Sequence, residues 1–582
     1  MKKVLLLTFA AAFAAAAQAA GSVAGSRHDL SASGPGPFRA VSERSPCVFC
    51  HTSHGSGPGL TGRPDPADVH RGYESSTART PARAPTGASR ICLSCHDGTI
   101  AVGQTRSGRI QMVGGAGAIP AGHRANLGTD LRGSHPVSIR PNVAAGTHTP
   151  SPQSGVHYDA SGELQCTSCH DPHSENGGDP VVGKFLVARS ANSGLCLSCH
   201  DPLSTAASGS SHTLATAPMP ASLSHEGART MAEAGCSACH PSHAADPGGR
   251  LLRPGRSDDD TCLTCHAATG ASKALGADLS RPWSHASSGR GNHDAAERSA
   301  GESGGKSGGI ARARRHVTCV DCHDPHRANP RPAQPPAASG LLAGAWGVDL
   351  NGRQIDPARF EYEVCLKCHG DTAPIATLTN DGVRRAVQDA NLRLVFSPSS
   401  PSFHPVAAPG RNSLVPGLKP PYTTASMIYC TDCHASDQSP AAGGAGARGP
   451  HGSIYPHLLE RNYSTNDPTP ETPSAYALCY KCHDRETLLS ESPSPIDGTG
   501  FPGHRSHVAG QSASCATCHD GHGVSMDAGS ARENAHLISF NTAAVSANSA
   551  GRAVYTSTSP RHGSCNLTCH GVPHDGGAAF SY

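Results

Sequence analysis

Apolar residues are concentrated at only one place along this chain. Residues 4–17 form a short hydrophobic run behind Lys2 and Lys3, and the small-residue triplet Ala17-Gln18-Ala19 follows. A basic start, an apolar run and such a triplet predict an export signal over residues 1–19, removed near Ala20. The run is short for a membrane span, and no later stretch is long and apolar enough to make one. Beyond it the pattern predicts short helices, long irregular connections and little strand. Residues 287–309, rich in Gly, Ser and charge with no apolar period, read as a flexible linker, and residues 439–450 as a surface loop.

Composition sharpens this picture. Only 36% of residues are hydrophobic and 4% aromatic, against 66 glycines and 47 prolines. Side chains this polar bury too little apolar surface to offset the ordering entropy of so long a chain. Something other than side chains must supply the core. Without Lys2 and Lys3, 45 basic residues face 45 acidic ones. A neutral chain with no basic face excludes a nucleic-acid partner.

The cysteines identify the missing core. All 24 fall into twelve copies of one motif. Six lie in the first half: Cys47-Cys50-His51, Cys92-Cys95-His96, Cys166-Cys169-His170, Cys196-Cys199-His200, Cys236-Cys239-His240 and Cys262-Cys265-His266. Five more are Cys319-Cys322-His323, Cys365-Cys368-His369, Cys430-Cys433-His434, Cys479-Cys482-His483 and Cys515-Cys518-His519. The twelfth, Cys565-Cys569-His570, carries one extra residue between its cysteines. Chance would supply about 0.06 copies of C-x-x-C-H at this composition. Two thiols one turn apart can form thioethers with the two vinyl groups on one edge of a haem, and the next residue swings its imidazole under the ring to ligate iron. Disulfides do not require the histidine, and zinc sites would not repeat it twelve times. The expected cofactors are twelve covalently attached c-type haems.

The motifs fall into six sequence pairs, their first cysteines 26 to 50 residues apart within a pair. The division is a signal peptide (1–19), modules at 20–150, 151–226 and 227–286, the linker at 287–309, and modules at 310–415, 416–508 and 509–582. The leading member of a pair is usually followed by a histidine three residues past its ligand: His54, His173, His243, His326 and His522. The fifth pair has Asp437 there instead.

At these residues the chain resembles the bacterial multihaem cytochromes with doubled C-x-x-C-H motifs. The resemblance is strongest at Arg27-His28-Asp29-Leu30-Ser31, Ser33-Gly34-Pro35-Gly36-Pro37, the run from Cys47 to His54, Ser89 to Thr99 and Ser134-His135-Pro136-Val137. It implies bis-histidine haems in an electron-transfer chain. The expected fold is a haem-cored multihaem cytochrome c: six paired-haem modules in an extended array, mostly short helices and irregular coil.

Thirty-six histidines less the twelve in motifs leave 24 for at most twelve distal positions, and only five methionines lie beyond the signal. Histidine is therefore the expected sixth ligand. A histidine three residues past a motif lies on the same side as the proximal one. It cannot easily reach its own iron, but it can reach a neighbour's. That role is assigned to His54, His173, His243, His326 and His522. A second group lies upstream of leading motifs or before proline: His28, His135, His157, His225, His285, His316, His404 and His507. The remaining histidines, His451, His504, His536 and His574 among them, stay unassigned.

The function expected is that of an exported, periplasmic or outer-surface dodecahaem c-type cytochrome. It would transfer electrons to redox partner proteins or extracellular acceptors, span no membrane, and be compatible with an oligomer or filament. The alternative is a multihaem reductase of a nitrogen or sulfur oxyanion with one open haem, examined first around Cys430 because of Asp437.

Overall fold

The computed structural model describes residues 22–575 except 52–63, 65, 67, 76–79, 142–146, 176–182, 201–208, 221–227, 248–249, 256, 258, 268–273, 286–316, 371–382, 388–390, 491–500, 502 and 560–561. The expected signal peptide, the linker, and His54, His225 and His316 lie outside the described residues. Contacts divide the chain into two units, Met1–Cys262 and Leu263–Tyr582.

Dense glycine and proline interrupt every periodic run, and the longest described helix, Gly87–His96, has ten residues. The chain is mostly coil with short helices and small strands. The helical turns sit where the cysteines are. Cys166–Cys169, Cys319–Cys322 and Cys515–Cys518 are single turns, and Cys92 and Cys365 lie on the longer helices Gly87–His96 and Glu361–His369. Tighter turns hold Cys47, Cys236, Cys430 and Cys479. The turns close alike: the histidine N–H donates to the first cysteine's carbonyl at 2.9 Å in His51, His200, His323, His434 and His519. In these motifs the helical turn therefore closes at or just before the histidine.

The first unit has two small apolar clusters rather than one core. Ala40, Phe49, Val102, Met112 and Ile119 form one, and Ala228, Ala234 and Ala238 the other. Buried polar side chains do the rest of the fastening. Ser89 donates from its N–H and its hydroxyl to Gln165 Oε1, and its hydroxyl oxygen accepts from Cys166 N–H at 3.0 Å. Ser193 repeats this, accepting from Cys236 N–H at 2.9 Å. In both cases a residue three positions before a trailing motif grips the leading motif of the next sequence pair.

The second unit is built on the same plan, with clusters around Tyr362 and Phe403, around Phe540 and Leu567, and around Ala345. Glu361 takes the place of the serine: Thr431 donates to it from both N–H and hydroxyl, each at 3.0 Å. Burial raises the Glu361 carboxyl to about 7, outweighing those two hydrogen bonds. A folded-state pKa above the ordinary value gives stability that is complete below about 4.5 and lost as pH rises through about 7. Thermal melts of the haem-loaded protein should therefore fall between about pH 5.5 and pH 8.5, by on the order of 1–3 kcal/mol. Glu361→Gln should flatten that dependence, and an unchanged slope in the variant would refute the assignment.

Strands are two residues long except at the C-terminal end. There His562–Cys569 pairs antiparallel with Val554–Ser559, with Val572–Asp575 and with Val545–Ser546. The twelfth motif thus lies on a strand, where the others lie on helical turns.

Candidate functional site

Histidine rings meet in pairs across both units. In the first, the motif residue His51 stacks against His173 with centroids 6.2 Å apart, and His170 against His243 at 6.3 Å. His96 meets His28 at 6.2 Å, and His200 meets His135 at 6.1 Å, both with crossed ring planes. In the second unit His323 faces His451 at 6.2 Å, His369 faces His285 at 6.4 Å, His434 faces His522 at 5.8 Å and His519 faces His504 at 6.4 Å. His404 lies near enough to His483 to add to the effect of burial on it.

One spacing recurs. A metal held between two imidazoles by bonds of about 2.0–2.1 Å sets their ring centroids roughly 6.3 Å apart. The ring planes can turn about that axis freely, which accommodates interplanar angles from 11° to 80°.

The nitrogens are sorted accordingly. Nδ1 of His96, His170, His323, His434 and His519 points to a backbone carbonyl at 2.7–2.9 Å. Nδ1 of His28, His285 and His404 likewise faces the carbonyls of Pro172, Pro450 and Gly521. An Nδ1–H bonded to a carbonyl leaves the lone pair on Nε2, the tautomer a metal ligand needs. Burial drives the His135, His243, His369, His434, His451, His483 and His519 imidazoles down to about 4, with neighbouring histidines adding to the effect. They are neutral at physiological pH.

The cysteines frame the same gaps. None of the 24 is in a disulfide. The thiols of Cys92 and Cys166 hydrogen-bond each other, as do Cys196 and Cys236, Cys365 and Cys430, and Cys479 and Cys515. Close thiol contacts therefore join a trailing motif to the leading motif of the next sequence pair. In the second unit a cavity of about 1820 Å³ is lined by Cys365, Cys430, Cys479, Cys515 and Cys565 with their facing histidines. That exceeds the roughly 300–1,000 Å³ of a single-ligand pocket. Two neutral axial donors, paired thiols and apolar space beside them fit haem.

A family model for the doubled CXXCH motif matches residues 157–205, 229–271 and 420–488, which hold the second, third and fifth sequence pairs. The chain carries the doubled CXXCH motif of multihaem c-type cytochromes. No curated protein matches it. No described helix is long and apolar enough to cross a membrane.

The facing pairs follow two rules that the motif spacing alone does not reveal. The histidine three residues past a leading motif meets the leading histidine of the preceding pair, as His173 meets His51, His243 meets His170 and His522 meets His434. The histidine upstream of a pair meets that pair's trailing histidine, as His28 meets His96, His135 meets His200 and His285 meets His369. Of the other sequence candidates, His157 is exposed with Nδ1 on the Gly155 carbonyl, and His326 is exposed beside Asp324. His451 and His504, which no local pattern marks, face His323 and His519.

Asp437 shows how the broken rule is repaired. It is buried, accepting from Arg281 Nη1 at 3.0 Å and from Ile454 N–H at 3.2 Å. Its neighbour Ser436 donates to Asp278 at 2.9 Å. These bonds pin the segment ending at His285 onto the strand Gly452–Ser453, immediately after His451. The aspartate takes no histidine's place directly; it positions two.

Proposed function

We propose that this chain is an exported dodecahaem c-type cytochrome that conducts or stores electrons, with mostly bis-histidine haems in six paired modules. The observation that carries the reading is the recurrence of facing imidazoles at one spacing, 5.8–6.4 Å, beside cysteine-bearing turns. The cysteines of each motif would form the thioethers, the adjacent histidine the proximal bond and the facing histidine the distal one. A c-type haem held this way supplies one-electron ferric–ferrous chemistry, at potentials that bis-histidine ligation sets lower than histidine–methionine ligation does.

The chain's own part is positioning. Carbonyls on Nδ1 fix each imidazole's tautomer and orientation. The Ser89, Ser193 and Glu361 clasps hold motifs of successive pairs in contact, which supports electron exchange along the chain rather than at one isolated centre. The reductase alternative needs an open iron, and the motif break at Asp437 was its anchor. His451 opposite His323 favours the conduit there. Partners of matching chemistry are redox proteins or extracellular acceptors.

The intact holoprotein should exceed its polypeptide mass by twelve haems, about 7 kDa in all. Reduction should spread over a wide potential range, because neighbouring haems repel each other's added charge. Sustained turnover of nitrite, hydroxylamine or tetrathionate by the purified protein would defeat the conduit reading.

A further inference from the structure

The fourth and fifth sequence pairs share a spacer pattern that the others lack. Just before the second cysteine, their leading motifs carry Asp321 and Asp432, and their trailing motifs carry Lys367 and Lys481. At the trailing position the first, second, third and sixth pairs have Ser94, Ser198, Thr264 and Thr568. A charged side chain is costly to bury without partners, yet Lys367 is only 5% exposed and the Lys481 side chain 13%.

The two lysines reach equivalent places. Lys367 Nζ donates to the Asp321 carbonyl, and Lys481 Nζ to the Asp432 carbonyl at 2.6 Å. A turn this short leaves its last carbonyls without helical partners, so each lysine ties the trailing turn of a pair onto the leading one. The aspartate carboxylates cap their own turns, Asp321 accepting from the Thr318 N–H and Asp432 from the Tyr429 N–H, both at 2.8 Å. Burial pushes the Cys322, Cys368 and Cys433 thiols up to about 12, and at each the lysine of the pair opposes that rise more strongly than the aspartate adds to it. Positive charge therefore prevails over the aspartate's at the cysteines. Lys367 lies 4.4 Å over the Trp346 ring, a neutral partner that suits a cation. Lys481 is also 3.1 Å from the buried Glu460 carboxylate, which offsets part of its charge. Arg253 and Arg385 meet the spacer carbonyls of Ser237 and Ala516 at 2.9 and 2.7 Å, so the third and sixth leading turns draw a cation from outside the motifs.

We propose that Lys367 and Lys481 set reduction potentials: each fixes one positive charge between the two cysteine-bearing turns of its pair, so the haems of the fourth and fifth pairs reduce before those of the first and second. This rests on the proposed haem attachment at these motifs. Each ferric-to-ferrous step takes one electron from an outside reductant and adds one negative charge at the iron. A fixed cation in low-dielectric surroundings stabilises that added charge. Ser94 and Ser198 bring no charge to the same position. The fourth pair should gain more than the fifth, because Glu460 shares Lys481.

The test is a potentiometric titration of the full-length holoprotein with dithionite, followed by haem absorbance, with haem count by intact mass. With Lys367→Met and Lys481→Met combined, four of the twelve haems should leave the high-potential end of the titration while the haem count holds. Lys367→Arg and Lys481→Arg, which keep the charge, should titrate as the wild type does. Glu460→Gln removes the offsetting charge and should move the two haems of the fifth pair upward. It leaves both lysines in place, so it decides the matter should the methionine variants lose haem. A full haem count with an unmoved high-potential end in the double methionine variant would overturn the proposal, as would a downward or absent shift in Glu460→Gln. Failure of the underlying attachment reads differently: wild-type peptides spanning Cys319–His323 and Cys365–His369 would carry no haem mass, and attachment and proposal would fall together.

Discussion

Alanine at His173 should open the haem tethered by Cys47 and Cys50, not the one tethered by Cys166 and Cys169 beside which it lies in sequence. His173 stands 6.2 Å from His51, its ring plane only 12° away from parallel. His170, the motif residue three positions earlier, faces His243 instead. The expected result is a protein with its full haem complement in which one haem turns high-spin and binds cyanide or carbon monoxide stoichiometrically. The loss is of one axial bond, so the affected haem should change from no detectable ligand binding to full occupancy. Magnetic circular dichroism showing an unchanged number of low-spin haems would refute this bridging role.

A second substitution separates ligand from positioner. His451→Ala should open the haem at Cys319 and Cys322 alone, since His451 faces only His323 among the ring pairs described above. Asp437→Ala should act on two haems at once. Its carboxylate is paired with Arg281, and removing one partner of a buried pair costs on the order of 3–5 kcal/mol. The freed segment carries His285 and abuts the loop of His451. Partial high-spin character should then be seen at the haems of both His323 and His369, and the melting temperature should fall. If Asp437→Ala left both haems low-spin and the melt unmoved, the positioning role would be wrong.

The cysteine motifs were legible because haem attachment imposes a local spacing, and the helical turns that carry them followed from the same spacing. Short helices and dominant coil were legible from glycine and proline. The histidines that face the motif residues were only partly so. Those with a local signature, such as His28, His135, His173 and His522, face motif histidines in the fold. His451 and His504 have no signature, because the distance each closes is set by tertiary contacts: the Asp437 clamp for one and the helical turn at Arg505–Gly510 for the other. The strand at Cys565 was also hidden, since a spacing of four puts both cysteines on one face of a helix or of a strand alike.

The low-temperature EPR spectrum of the fully oxidised wild-type protein, integrated against its iron content, tests the central claim most directly. Twelve irons per chain, all low-spin and unchanged by added cyanide, are expected if facing histidines close every haem. A stoichiometric high-spin signal that cyanide abolishes would contradict the conduit and mark an iron built to bind substrate.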